Sequence, residues 1–179
     1  MDTPRVIGLD LSMTATGIAH ADGATTTVKP ASSGDHRLNE IRSAVHQAAG
    51  GLPRGNRGIA RWVDLAVIED LPTHARAAGI TGMVHGAVRS LLTECGVAYV
   101  VVPPATLKAF ATGKGNADKT AMAIAALKRV GAEFADDNQC DAWWLRQAGL
   151  HHLGAPEFPL PSAQAARLDK VTWPQPAAA

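Results

Sequence analysis

Asp10, Glu69, Asp137 and Asp141 are the acids whose placement could do chemistry. Asp10 ends the apolar run Val6-Ile7-Gly8-Leu9, and Glu69 ends a second, Leu65-Ala66-Val67-Ile68. Both runs read as buried central strands. An unpaired carboxylate there costs several kcal/mol, so such a strand keeps one only where a cation or a basic group compensates it. Asp137 lies four residues before Asp141 and Asn138 three before it, which puts all three on one helix face. Carboxylate oxygens without His or Cys partners select Mg²⁺ or Mn²⁺ over zinc. Two such ions, roughly 3.5–4 Å apart, suit in-line attack of water on a phosphodiester. The arrangement predicts a metal-dependent nuclease.

Each acid also has a plainer reading. Asp10 could cap a turn with Ser12, Glu69 could be a solvated strand-end charge, and Asp70 reads as solvated or as a loop acceptor. Asp136 reads as the cap of the last helix, with Gln139 completing a capping box. Lys119 starts a helix, where a cation opposes the macrodipole, so its placement points to an anionic partner such as a scissile phosphate. Lys108 and Lys114, with Arg57 in a basic loop, are candidates for holding a DNA backbone. Gly113-Lys114-Gly115 lacks the earlier glycine and following Ser or Thr of a P-loop, which argues against nucleotide hydrolysis. Trp62 is a candidate for stacking on an unpaired base, and core packing is the alternative; the adjacent Trp143 and Trp144 point about 100° apart, so at least one belongs to the core.

The elements that must position these residues follow from pattern. Strands are expected over Arg5–Leu11, Thr16–Ala21 and Ala24–Val28, the last two joined by an Asp22-Gly23 turn. Helical spacing of Leu38, Ile41 and Val45 precedes a break at Gly50-Gly51 and Pro53. The Glu69 strand is followed by the clearest amphipathic helix, with Ile80, Val84, Ala87, Val88, Leu91 and Leu92 in phase. A fifth strand, Val97–Val102, then leads to helices over Ala105–Thr112, Lys119–Val130 and Asp137–Leu150. This order gives an α/β fold with a five-stranded mixed sheet, three antiparallel strands and then two parallel, flanked by helices.

The 179 residues suit one domain, taken as 1–153, followed by a Pro/Ala-rich tail over 154–179 with prolines at 156, 159, 161, 174 and 176. Within that tail Gln164–Trp173 has the best prospect of order, through Leu168, Val171 and Trp173. A net charge of +1 argues against a general DNA-coating protein and leaves DNA binding to local basic loops. Cys95 and Cys140 lack metal-ligand spacing and read as reduced structural thiols. The opening residues lack a basic segment followed by an apolar one, and no apolar run approaches about 18 residues, so a cytoplasmic protein without a membrane span is expected.

Four segments together resemble the RuvC-type Holliday junction resolvases of the RNase H-like nuclease superfamily: GLDLSMTATGIA with Asp10 and Thr16-Gly17, VIEDLP with Glu69, PPATLKAFATGKGNADK with Lys108 and Lys119, and DNQCDAWWL with Asp141. The resemblance spans about residues 5–150 and implies an RNase H-like fold. It further implies a Mg²⁺-dependent crossover junction endodeoxyribonuclease of DNA recombination and repair, with two ions per site. Its implied partners are branched DNA and a second copy of the chain, and a phage-encoded origin fits the resemblance. Asp10, Glu69 and Asp141 then hold the ions, and Lys119 stabilises the developing phosphate charge. Where the family has Asp or His three residues before Asp141, this chain has Asn138, so the fourth ligand is Asp137, favoured because an i to i+4 spacing serves as well as i to i+3, or the Asn138 amide oxygen. The residues after Glu69, Asp70-Leu71-Pro72-Thr73-His74, include no aromatic wedge, which leaves forks, flaps or RNA as alternative substrates, and a non-catalytic binding module as a further one. The helix with Gly79, Gly82 and Gly86 is the candidate dimer interface, although these glycines could equally pack on the sheet.

Overall fold

The structure, a computed structural model, describes residues 3–51, 62–71 and 78–174. The expected basic loop with Arg57, and most of the stretch after Leu71, lie outside the described residues. Strands β1 (Val6–Asp10), β2 (Thr16–Ala19), β3 (Thr25–Val28), β4 (Leu65–Glu69) and β5 (Tyr99–Val102) form one sheet in the order β3-β2-β1-β4-β5. β1 pairs antiparallel with β2 and β2 with β3, whereas β4 runs parallel to β1 and β5 parallel to β4. That is the mixed sheet the sequence predicts. The Asp22-Gly23 turn forms as expected, with Gly23 at φ 93° and the Ala24 amide donating to the Asp22 side chain at 3.0 Å.

Helices α1 (His36–Ala48) and α2 (Ala78–Glu94) cover one face of the sheet. The other face carries α3 (Pro104–Thr112), α4 (Lys119–Val130) and α5 (Asp137–His152). The alternation of a strand divides the residues cleanly. Ile7, Leu9, Ala66 and Ile68 pack toward α1 and α2, whereas Val6, Leu65 and Val67 pack toward α5. Asp10 and Glu69 therefore share the phase of the α5 face. The β1–β4 register pairs Gly8 with Val67 and Leu9 with Ile68, and one further step sets Asp10 beside Glu69.

α5 lies unusually close to this face, and glycines permit it. A Cβ on Gly8 would overlap the Ala142 carbonyl oxygen and come within 2.6 Å of the Arg146 amide nitrogen. A Cβ on Gly17, the β2 partner of Asp10, would overlap the Asn138 carbonyl. On α5 itself a Cβ at Gly149 would lie 2.6 Å from a Val6 methyl and 2.7 Å from a Val67 methyl. Backbone thus rests on backbone along α5, and the aromatic residues point away from the sheet. Trp143 and Trp144 are both buried, with the Trp144 indole donating to the Met122 carbonyl at 3.2 Å.

The segment beyond α5 fastens onto the same helix. Phe158 stacks on Trp143 with ring centroids 5.6 Å apart and 8° between planes. Glu157 accepts two hydrogen bonds from the buried Arg146 guanidinium, at 2.9 and 2.7 Å, and one from Gln147 at 2.7 Å. Arg146 also donates to the Ala21 carbonyl at 3.0 Å, tying the β2–β3 turn, α5 and this segment together. Further on, α6 (Ser162–Ala165) and a 3-10 turn over Ala166–Lys170 bury Leu168 and Val171, and Trp173 packs against the same core. Phe158 and Glu157 gave no comparable signal in the sequence.

On α2, nothing described lies within 4 Å of a Cβ built at Gly79, Gly82 or Gly86, so these glycines do not pack on the sheet. Ile80 and Met83 beside them are exposed. No helix among the described residues is long and apolar enough to cross a membrane.

Two substitutions test this packing in urea denaturation. Gly8→Ala forces α5 off the sheet and should cost about 1–3 kcal/mol or more. Glu157→Ala leaves the buried Arg146 short of two acceptors and should cost about 1–3 kcal/mol with an unchanged m-value. Wild-type midpoints for both would refute the account.

Candidate metal centre

Three acids meet at the edge where β1 and β4 end. Carboxylate oxygens of Asp10, Glu69 and Asp141 lie within 4.8 Å of one another. Each arrives by a separate route. Asp10 and Glu69 come from neighbouring strands in phase, and Asp141 from the second turn of α5, brought down by the Gly8 and Gly17 contacts. The turn after Asp10 does not need Asp10 as its cap: the Ser12 hydroxyl accepts from the Ala15 amide at 3.0 Å, and the Thr16 hydroxyl donates to the Ser12 carbonyl at 2.7 Å.

The cluster is electrostatically costly as it stands. Burial pushes the Asp10 carboxyl from 3.8 up to about 7, with the Asp141 charge adding and Lys119 opposing. Burial likewise raises Glu69 from 4.5 to about 8, aided by Asp10 and Asp141 and opposed by Lys108 and Lys119. Asp141 is raised by burial and drawn back by Lys119 and Lys108. Three hard oxygen donors, poorly solvated and mutually repelling, fit one kind of guest. Oxygens on opposite sides of a small divalent cation stand roughly 4–5 Å apart, given metal–oxygen distances of about 2.0–2.6 Å. The residues therefore fit a Mg²⁺ or Mn²⁺ ion.

The other expected residues divide. Asn138 sits in the first turn of α5 over Gly17, next to Asp10 across the β1–β2 ladder. Asp137 is not part of the three-acid cluster. It forms an ion pair with Lys119, the first residue of α4. The physical reason is the Gly17 contact, which turns Asn138 toward β2 and leaves Asp137, about 100° around the helix, facing α4. Asp136 is the N-cap, accepting from the Gln139 amide at 3.0 Å and from the Thr27 hydroxyl at 2.7 Å. The Gln139 side chain completes no box with it, accepting instead from Thr25 at 2.9 Å. Lys108 is half-buried with its charge felt by Glu69 and Asp141, whereas Lys114 is exposed on the α3–α4 loop. Trp62 packs against the core, edge-on to His46 at 5.3 Å. His152 stacks on Trp173 at 4.1 Å, at the opposite end of α5 from the acids.

Asp10 and Glu69 make the fold pH-sensitive in a definite direction. Both keep their protons in the folded protein well above the pH at which they lose them unfolded. The stability each lends is fully present below its ordinary value, about 4, and is lost as pH rises toward 7 to 8. Without divalent ions the melting temperature should fall from pH 5 to pH 8. Mn²⁺ at pH 8 should restore it, by about 2.7 kcal/mol at a hundredfold excess over Kd, with little effect at pH 5. Asp10→Asn should lose part of the slope and most of the metal response. Scanning fluorimetry checks this, and a metal-independent melting temperature at pH 8 would overturn it.

No protein-family model matches the chain. No curated protein matches it either. Solved structures do. Thermus thermophilus RuvC superposes with a TM-score of 0.62 at 20% identity, covering 94% of this chain and 98% of that one. T. thermophilus RuvC in complex with Holliday junction substrate gives a TM-score of 0.62 at 20% identity, covering 86% and 98%. The five-stranded sheet with its flanking helices is thus the RuvC variety of the RNase H-like fold.

Proposed function

We propose that the protein is a metal-dependent endonuclease that hydrolyses phosphodiester bonds in branched DNA, four-way junctions foremost. One observation carries this reading: the half-buried Asp10, Glu69 and Asp141 converge beside Lys108 and Lys119. A paired Mg²⁺ or Mn²⁺ centre, when bound, would supply an activated water and neutralise the charge of the attacked phosphate. The three acids would hold that centre, with the Asn138 amide oxygen, in the first turn of α5 over Gly17, as a further donor. Lys119 meets the scissile phosphate at the mouth, and Asp137 holds Lys119 there. Lys108, Lys114 and Arg57 engage the DNA backbone, which fixes register without reading sequence. Support for a branched substrate comes from the similarly folded T. thermophilus RuvC, seen in complex with a Holliday junction substrate.

Paired nicks on opposite strands need two sites, so the working unit is a homodimer, with the exposed Ile80, Met83 and glycine face of α2 as its contact. In this reading residues 1–153 are the nuclease domain and 154–179 a C-terminal tail, of which the part through Trp173 is fastened to it. The setting is the cytoplasm of a bacterial host, with a phage gene as source. The lack of an aromatic residue in Asp70-Leu71-Pro72-Thr73-His74 favours a substrate range that extends to forks and flaps.

An end-labelled four-way junction, beside fork, flap, duplex and RNA–DNA controls, decides. Opposed nicks should appear with Mg²⁺ or Mn²⁺ and vanish with EDTA or in Asp10→Asn, while junction binding persists. Lys119→Ala should slow cutting about 10²-fold, the scale of removing one electrostatic stabiliser. Asp137→Asn should slow it several-fold and keep the Mn²⁺-induced rise in melting temperature, a rise that a ligand's loss would abolish. Absence of metal-dependent cutting on every substrate would end the nuclease reading.

A further inference from the structure

A groove of about 510 Å³ runs between α4 and the start of α5, with Lys119 at the end nearest the carboxylate cluster and Asp136 and Asp137 on its α5 rim. Ile124 and Leu127 line it from α4, Phe134 and Cys140 from the other side, and Lys119 stands in it next to the acids. Groove and cluster are two sides of one helical turn. Asp141 faces β1, and its neighbour Cys140, about 100° around α5, faces the groove. The volume lies in the range of pockets that enclose a small planar group.

The groove wall is not ordinary surface. Ile124 and Leu127 are 43% and 47% exposed and lie one turn apart, with Val130 continuing the line at 46%. Apolar side chains aligned in water beside a cavity mark a contact surface. Its occupant follows from what adjoins it. A phosphate seated at the acids and Lys119 brings its own nucleoside to the groove mouth, and a base lifted from its stack at a branch needs an apolar surface to cover its faces. The Thr120 hydroxyl and Glu133 carboxylate on the lining offer partners for a base edge.

We infer that this groove receives one unpaired nucleobase, belonging to a nucleotide next to the phosphate held at the carboxylate cluster. This rests on the nuclease reading above. Ile124, Leu127 and Phe134 cover the base, while Lys119 neutralises the phosphate that joins it to the site. A partner peptide or a second copy of the chain would fill the apolar wall but would bring no phosphate to Lys119.

The test uses the full-length protein, Mn²⁺ and four-way junctions carrying an abasic residue at each nucleotide flanking the mapped cut. One abasic position should slow single-turnover cutting by wild type about tenfold, the usual worth of one stacked base. Leu127→Glu should already be about tenfold slow on intact DNA and indifferent to that abasic position, with an unchanged Mn²⁺-induced rise in melting temperature. Ile124→Gln, equally exposed, serves as the second variant should Leu127→Glu fail to fold. Uniform cutting of all abasic junctions by wild type would overturn the inference while leaving the nuclease reading intact. So would wild-type cutting by Leu127→Glu, or an undiminished abasic penalty in it. No cutting of any DNA would remove the nuclease reading and this inference with it.

Discussion

The contact between the α5 backbone and Gly8 and Gly17 is the constraint on which the rest of the molecule depends. No side chain other than hydrogen fits at either position, because the Ala142 and Asn138 carbonyls occupy the space a Cβ needs. Backbone-to-backbone seating lowers the helix by the height of a side-chain layer. Asp141 then reaches the level of Asp10 and Glu69 at the strand ends. Widen that gap by a methyl group and Asp141 no longer meets the other two carboxylates. The same seating rotates the first turn, giving Asn138 to β2 and Asp137 to Lys119.

A helix placed there carries a penalty at one end and its remedy at the other. Its N-terminal third delivers a half-buried carboxylate into a cluster of like charge, where solvent is scarce and Asp10 and Glu69 retain their protons to near neutrality. Its remaining length is locked by contacts that owe nothing to the acids: the Trp143–Phe158 stack, the Trp144 hydrogen bond to α4, and the Arg146–Glu157 pair. Functional sites commonly keep such strain, stabilised by a surrounding structure that over-determines it. The C-terminal segment belongs to that surrounding structure, since Glu157 and Phe158 both lie beyond α5.

Charge balance at the site is local, consistent with a net charge of only +1. Lys108 and Lys119 come from α3 and α4, two helices whose sequence separation from the acids conceals their proximity. Asp118 caps α4 by accepting from the Ala121 amide at 2.8 Å, which fixes where Lys119 begins. One ammonium thus pairs with Asp137 within reach of the three clustered acids, beside an apolar groove.

Much of this was legible in the chain. Each strand acid ends an apolar run, and period-two alternation from Val6 through Gly8 to Asp10, and from Leu65 through Val67 to Glu69, assigns both to one sheet face. The succession of elements along the chain and the Asp136 cap followed equally from local rules, because turn chemistry, alternation and capping act between residues close in sequence. A glycine two places before the acid, in a run otherwise built of Val, Ile and Leu, was the available sign of a close helix. How the first turn of α5 is rotated was not legible: Asp137 and Asn138 both satisfy helical spacing with Asp141, and a rotation set by Gly17, about 120 residues away, separates them. Nor could composition show that a proline-rich end supplies Glu157 to a buried arginine. Sequence determined the elements and the phase of the acids along them; the tertiary structure alone decided distance and rotation between elements, because those depend on contacts between residues far apart in the chain.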